Sequence, residues 1–137
     1  MSFKDVQTAL DTRLSLYPNT EGLDIAYEGT NYQIVTGSPF IRPTNITAIS
    51  DTLELTNSVQ LNVGIYQIDV FYPIDGTGTG QTLEVMEDLF GHFKAALTLT
   101  AGSGLEVIIR NVSRLTIVES EKTWMIGSIQ VNYVSYF

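Results

Sequence analysis

Gly64–Phe93 reads GIYQIDVFYPIDGTGTGQTLEVMEDLFGHF, and this stretch decides the fold. Tyr66, Ile68, Val70 and Tyr72 share one parity, while Gln67 and Asp69 take the other. A period of two with one apolar side marks a half-buried strand, more typical of an antiparallel sheet than of a parallel one covered on both faces. Pro73 ends the strand because it has no N–H to give to a ladder. Asp75-Gly76-Thr77-Gly78-Thr79-Gly80 lets the chain reverse, and Thr79 or Thr82 is placed to cap a following helix. In that helix Leu83, Met86, Phe90 with Leu89, Phe93 and Leu97 recur at helical spacing, a stripe that can lie on the strand's apolar side.

Toward the N-terminus, Ser2 and Asp5 resemble a helix start, and Phe3, Val6, Leu10, Leu14 and Tyr17 give an amphipathic helix that Pro18-Asn19 ends. Leu23, Ile25 and Tyr27 alternate with Asp24 and Glu28 as a short strand. A turn over Glu28–Asn31 leads to a second short strand expected at Tyr32–Val35. Pro39 and Pro43 bar residues 37–43 from a central ladder, so the segment belongs at a sheet edge or in a long arm. Ile46–Thr56 alternates again and Thr56–Gly64 is a polar connection. Residues 37–63 together suggest a β-hairpin or arm that need not belong to the compact core.

Toward the C-terminus, Ala101-Gly102-Ser103-Gly104 breaks the chain. Strands are expected at Leu105–Arg110 and Val112–Glu119, with a turn over residues 119–122. Trp124–Phe137 is a long final strand, with Met125, Ile129, Val131 and Tyr133 on one side and Ser128, Gln130 and Asn132 on the other. Residues 1–137 thus read as a single α+β domain: one mostly antiparallel (mixed) sheet packed against two helices, with an extended β-hairpin arm.

Composition narrows the chemistry. At 137 residues the chain can bury a core without staples, and it contains no cysteine, which excludes disulfides, a thiolate nucleophile and zinc–thiolate sites. His92 is the single histidine, so a multi-histidine metal site is excluded too. No run approaches the length of an apolar membrane span, and the N-terminus is amphipathic rather than signal-like, so a soluble, intracellular protein is expected. Seven basic against 15 acidic residues give a net charge of −8, which argues against wrapping nucleic acid. Only 16% of residues are charged, and the abundant Thr, Ser, Asn and Gln make a polar surface suited to protein–protein contact.

The candidate sites are weak as chemistry. A glycine turn between strand and helix is where phosphates and dinucleotides bind. Here Gln81 stands at the third glycine position, no acidic residue follows at ribose-contact spacing, and Gly80-Gln81-Thr82 replaces the Gly-Lys-Ser/Thr of a phosphate loop. A bare turn, or a loop touching a neighbouring subunit, fits better. Glu84, Glu87 and Asp88 can share a helix face, but an acidic first half favoured by the helix dipole, with Lys94 near the other end, accounts for them. His92 lacks an evident nucleophile and orienting group, and Trp124, Tyr133, Tyr136 and Phe137 read as core and sheet surface or as a hydrophobic end that docks on a partner. No catalytic, cofactor or metal site is expected, and no enzyme.

An arm containing Pro39-Phe40-Ile41-Arg42-Pro43, the strand Gly64–Pro73, the glycine turn, and a helix ending Leu89-Phe90-Gly91-His92-Phe93 together resemble the tail-terminator (tail-completion) proteins of long-tailed bacteriophages, similar to the lambda-type terminator. The resemblance follows the element order over most of the chain. It implies a structural virion protein that forms a hexameric ring at the head-proximal end of the tail tube, ends tube polymerisation and joins the tail to neck or head-completion proteins. It implies assembly in the host cytoplasm, no membrane, and a genome that passes through without specific binding. Ring contacts would then fall to Pro39, Phe40, Ile41, Arg42, Pro43, Gly76, Thr77, Gly78, Thr79, Tyr136 and Phe137. Asp69, Asp75, Glu84, Glu87 and Asp88 are candidates for an acidic lumen that repels DNA phosphates. The alternatives are a tail-tube or head–tail stopper subunit and, from another class, a small-ligand or nucleotide module built on residues 76–80.

Overall fold

β3 (Gln60–Pro73) is flanked by β2 (Phe40–Thr52) from Gln60 to Phe71 and by β7 (Trp124–Tyr136) from Leu61 to Pro73, which makes it the spine of the molecule. In a computed structural model, residues 3–18, 22–35, 37–52, 60–74, 79–100, 106–120 and 123–136 are described. Their elements run α1 (Phe3–Ser15), β1 (Asp24–Ile25), β2 (Phe40–Thr52), β3 (Gln60–Pro73), α2 (Gly80–His92), β4 (Thr98–Thr100), β5 (Glu106–Arg114), β6 (Val118–Ser120) and β7 (Trp124–Tyr136). The sheet order is β1-β2-β3-β7-β5-β4, with β6 paired to the start of β7. β1 joins β2 in parallel and every other pairing is antiparallel, so the sheet is mixed.

Register turns the alternation of β3 into a face. Tyr66, Ile68 and Tyr72 stand opposite Val131, Ile129 and Met125 of β7, and Ile41 of β2 stands opposite Val70. This face joins Val6, Ala9, Leu10 and Leu14 of α1 and Val85, Met86 and Leu89 of α2 in one buried core, which Val107 and Ile109 of β5 extend. Each buried Leu or Ile contributes about 1.5–3 kcal/mol relative to exposure, so these two helix stripes hold both helices to the sheet. At Gly127, opposite Val70, α2 packs directly on the sheet. A Cβ there would overlap Met86 Sδ.

The opposite face is not wholly solvent. Phe40 stacks on Phe71 with ring centroids 4.4 Å apart and planes 6° from parallel, and Trp124 meets both edge-on at 5.5 and 6.2 Å. Ala26, Tyr32 and Ile126 complete this smaller second core. Such aromatic pairs add about 0.5–1.5 kcal/mol each beyond their area.

Several expectations are corrected. Phe40 and Ile41 are not arm residues: they are buried, on opposite faces of the sheet, and with Pro43 they are in register with Ile68–Phe71. The base of the hairpin belongs to the sheet, since β7 continues beside β3 as far as Leu61↔Tyr136. Tyr32–Val35 forms no strand, and Ile34 and Val35 are exposed. The break expected before Val112 is a register shift between Ile109 and Asn111 inside one continuous β5, and only Val118–Ser120 forms a further strand. α2 ends at His92, so Leu97 lies beyond a turn in which Ala96 takes φ 68°. Its buried stripe is Thr82, Val85, Met86 and Leu89, whereas Phe90 is 44% exposed. Thr79 holds the N-cap position without a side-chain cap bond, and Thr82 is buried with no partner for Oγ1 among the described residues. No acidic residue lies in the first turn of α2, so the dipole account of Glu84, Glu87 and Asp88 loses its geometry. The expected cap at Ser2, Leu53 and Leu55 of the hairpin end, and the breaks at 101–104 and 121–122 lie outside the described residues.

Candidate assembly surfaces

Two polar devices fix α1, and both use residues that an apolar pattern cannot reveal. In the first, Tyr66 donates its hydroxyl proton to Asp11 Oδ1, and Gln7 Nε2 donates to Asp11 Oδ2 at 3.2 Å. Asn45 Nδ2 donates to Gln7 Oε1 at 3.1 Å, and Tyr133 donates to Asn45 Oδ1 at 2.6 Å. α1 is thereby tied to β2, β3 and β7 in one chain of hydrogen bonds. Burial, and then Asp11, push the Tyr66 hydroxyl far above its ordinary range. Burial also raises Tyr133, so both stay protonated donors at neutral pH.

In the second device the C-terminal turns of the helices meet. Arg13 donates from Nη2 and Nε to the His92 carbonyl at 2.7 and 3.2 Å, and His92 Nε2 lies 2.6 Å from the Arg13 carbonyl. An arginine on the last carbonyls of a helix also meets the negative end of its dipole. Tyr17 and Phe93 pack edge-on against the imidazole. Burial holds His92 below the usual histidine range. The hydrogen bond to Arg13 opposes that shift and the Arg13 charge adds to it.

The outer edge of β2 is guarded over its first half. The Ile41 carbonyl accepts from Ala26 N–H at 2.7 Å, Pro43 has no N–H, and the Asn45 N–H is taken by the Glu28 carboxylate. Such devices keep an edge strand from pairing indiscriminately.

On the sheet face away from the helices, Asp69 is only 7% exposed and its carboxylate is fully used. Ser128 Oγ and Gln67 Nε2 donate to Oδ1, and Arg42 lies 3.9 Å from Oδ2 with its guanidinium 4.8 Å above the Phe71 ring. Gln130 donates to Gln67 at 3.3 Å and Asn132 to Asn111, extending a neutral polar ladder across the face.

The candidate residues therefore separate. Among the ring-contact candidates, Phe40, Ile41 and Pro43 are buried, Pro39 is half-buried, and Arg42 and Thr79 are exposed. Tyr136 closes β7 opposite Leu61. Gly76, Thr77, Gly78 and Phe137 lie outside the described residues, as does Asp75. Asp69 belongs to the face away from the helices, while Glu84, Glu87 and Asp88 are exposed on α2, on the other side of the sheet. Asp69 and the three acids of α2 therefore do not form one patch. No metal-binding group of His, Asp and Glu occurs among the described residues, and no helix there is long and apolar enough to cross a membrane. Missed in the sequence was Arg13. Its position in the last turn of α1 was the available signal, but its partner lies on another helix.

What this arrangement can do is present surfaces to other proteins. A family model described as phage tail terminator protein matches residues 5–133. Among solved structures, one 23% identical in sequence aligns over 100% of this chain and 97% of its own length with a TM-score of 0.81, so the two share a fold. No curated protein gives a match.

Proposed function

The chain belongs to the phage tail terminator family, a structural component of the phage tail, and on that premise we propose that it closes into a ring at the head-proximal end of the tail tube. The ring ends tube polymerisation and presents its free side to a neck or head-completion protein. The ring holds six copies, the number that the family resemblance implies. The observation that carries this reading is the family match over nearly the whole chain, from the first turn of α1 to Tyr133 near the end of β7.

The physical chemistry is consistent with a passive ring. The guarded first half of the β2 edge disfavours strand addition there, and a head-to-tail contact between copies closes into a ring when its rotation permits. A net charge of −8 and a neutral amide ladder beside an internally paired Arg42–Asp69 offer little grip on DNA phosphates, which lets a genome pass. The protein acts without catalysis or cofactor.

The test is electron microscopy of tails carrying a tagged copy of the chain. Label at one tube end, on a ring, supports the reading. Label spread along the tube assigns the chain to the tube instead, and no label at all refutes a tail position.

A further inference from the structure

One end of the sheet is left open. β4 is the last strand of the order, and among the described residues nothing pairs with its outer side. The Leu97 carbonyl accepts from Ile109 N–H at 2.8 Å and Leu99 pairs with Val107, so by alternation the N–H and C=O of Thr98 and Thr100 point outward. Thr98-Leu99-Thr100 holds neither charge nor proline, whereas Glu28 and Pro43 guard the first half of the β2 edge. Beside the open edge lies a hollow of about 350 Å3 between α1 and β4, lined by Ala9, Thr12, Leu16 and Leu99. Leu16 is 66% exposed there, and Arg13, which also lines the hollow, is held by the His92 carbonyl. An unguarded edge beside a pocket without free charge suits one more strand carrying an apolar side chain.

The chain carries such a segment. Tyr32-Gln33-Ile34-Val35 is rich in strand-forming residues yet forms no strand in its own chain, and Ile34 and Val35 are 58% and 55% exposed. No charged residue occurs from Gly29 to Ile41. Tyr32 packs on Phe40 with ring centroids 5.3 Å apart and donates to Asp24 at 3.3 Å, which anchors the segment at the β1–β2 flank. β2, β3, β7 and β5 stand between that flank and β4 of the same chain. We propose that Gln33–Val35 of one copy adds as a strand to the β4 edge of the next. Successive residues of a strand point to opposite sides, so either register puts one of the adjacent pair Ile34 and Val35 into the hollow beside Leu16. The two surfaces lie at opposite ends of the sheet, so the contact is heterologous, the kind that builds closed rings. The inference rests on the ring reading and names its interface.

The test uses the full-length chain, with assembly followed by native mass spectrometry and folding by circular dichroism and thermal melting. Thr98→Pro removes an outward N–H and leaves the β4–β5 ladder its own bonds, while Ile34→Asp with Val35→Asp charges the exposed pair. Each loses ring assembly or needs at least roughly tenfold more protein for it, whereas Thr98→Val, which keeps the N–H, assembles as the wild type does. As a second measurement on the wild type, hydrogen exchange slows on assembly at the Thr98 amide and at an amide within residues 33–35. A ring from either folded variant at wild-type concentration, loss of assembly in Thr98→Val, or unchanged exchange at these amides in an assembled ring overturns the strand addition while leaving the ring reading intact. A wild-type chain that forms no ring, alone or on tube ends, overturns both.

Discussion

Arg13 and His92 hold each other's backbone carbonyls where α1 and α2 end, with the arginine donating to His92 O at 2.7 Å and the imidazole 2.6 Å from Arg13 O. The two helices share the same face of the sheet, and this exchange fixes one helix end against the other. Arg13→Ala removes two charge-assisted bonds from a partly exposed site. It should cost about 1.5 kcal/mol in urea unfolding, with Arg13→Lys recovering only part because an ammonium cannot reproduce the fork.

His92 makes this contact sensitive to pH. Its folded-state pKa lies below the ordinary value near ~6.5, so as pH falls the unfolded chain takes up the proton first. The contribution is complete above the unfolded value and is lost as pH drops through the folded one. Unfolding free energies measured between pH 7.5 and 5 should fall more steeply for the wild type than for His92→Gln, which keeps a donor but does not titrate. Equal slopes would remove His92 from the account.

The Tyr66–Asp11 bond predicts an asymmetry. Asp11→Ala leaves a buried tyrosine hydroxyl without its acceptor and should cost about 1–3 kcal/mol. Tyr66→Phe leaves only a half-exposed carboxylate that water can reach, and should cost about 0.5–1.5 kcal/mol. The double variant should recover part of the difference, which a double-mutant cycle in urea measures.

Gly127 sets the seat of α2. Gly127→Ala drives a methyl into Met86 Sδ and Thr82 Cγ2 and should destabilise by about 1–3 kcal/mol. Adding Met86→Ala should relieve part of that cost. Additive losses in thermal melts would show that the close approach does not set the helix position.

What could be read from sequence was what short-range periodicity encodes. β3, α2, the final strand and the α+β class follow from alternation and helical spacing within one segment. The second aromatic core did not, because Phe71 shares parity with Gln67 and Asp69, and its partner Phe40 comes from a segment whose prolines suggested an arm. Pro39 and Pro43 were rightly placed at an edge, yet that edge is the rim of the core. The stripe of α2 was misassigned at Phe90 because adjacent Leu89 and Phe90 both fit the helical spacing, and packing against the sheet buries only Leu89. The acidic candidates looked like one set along the chain, but the sheet divides them. The Arg13–His92 exchange is invisible to pattern because its two ends lie on different helices.

The most direct test of the central claim is the length of tail tubes polymerised from tube protein with and without this chain. A terminator should stop growth at substoichiometric amounts, giving short tubes each capped at one end by a ring. Tubes of unchanged length with bare ends would contradict the account.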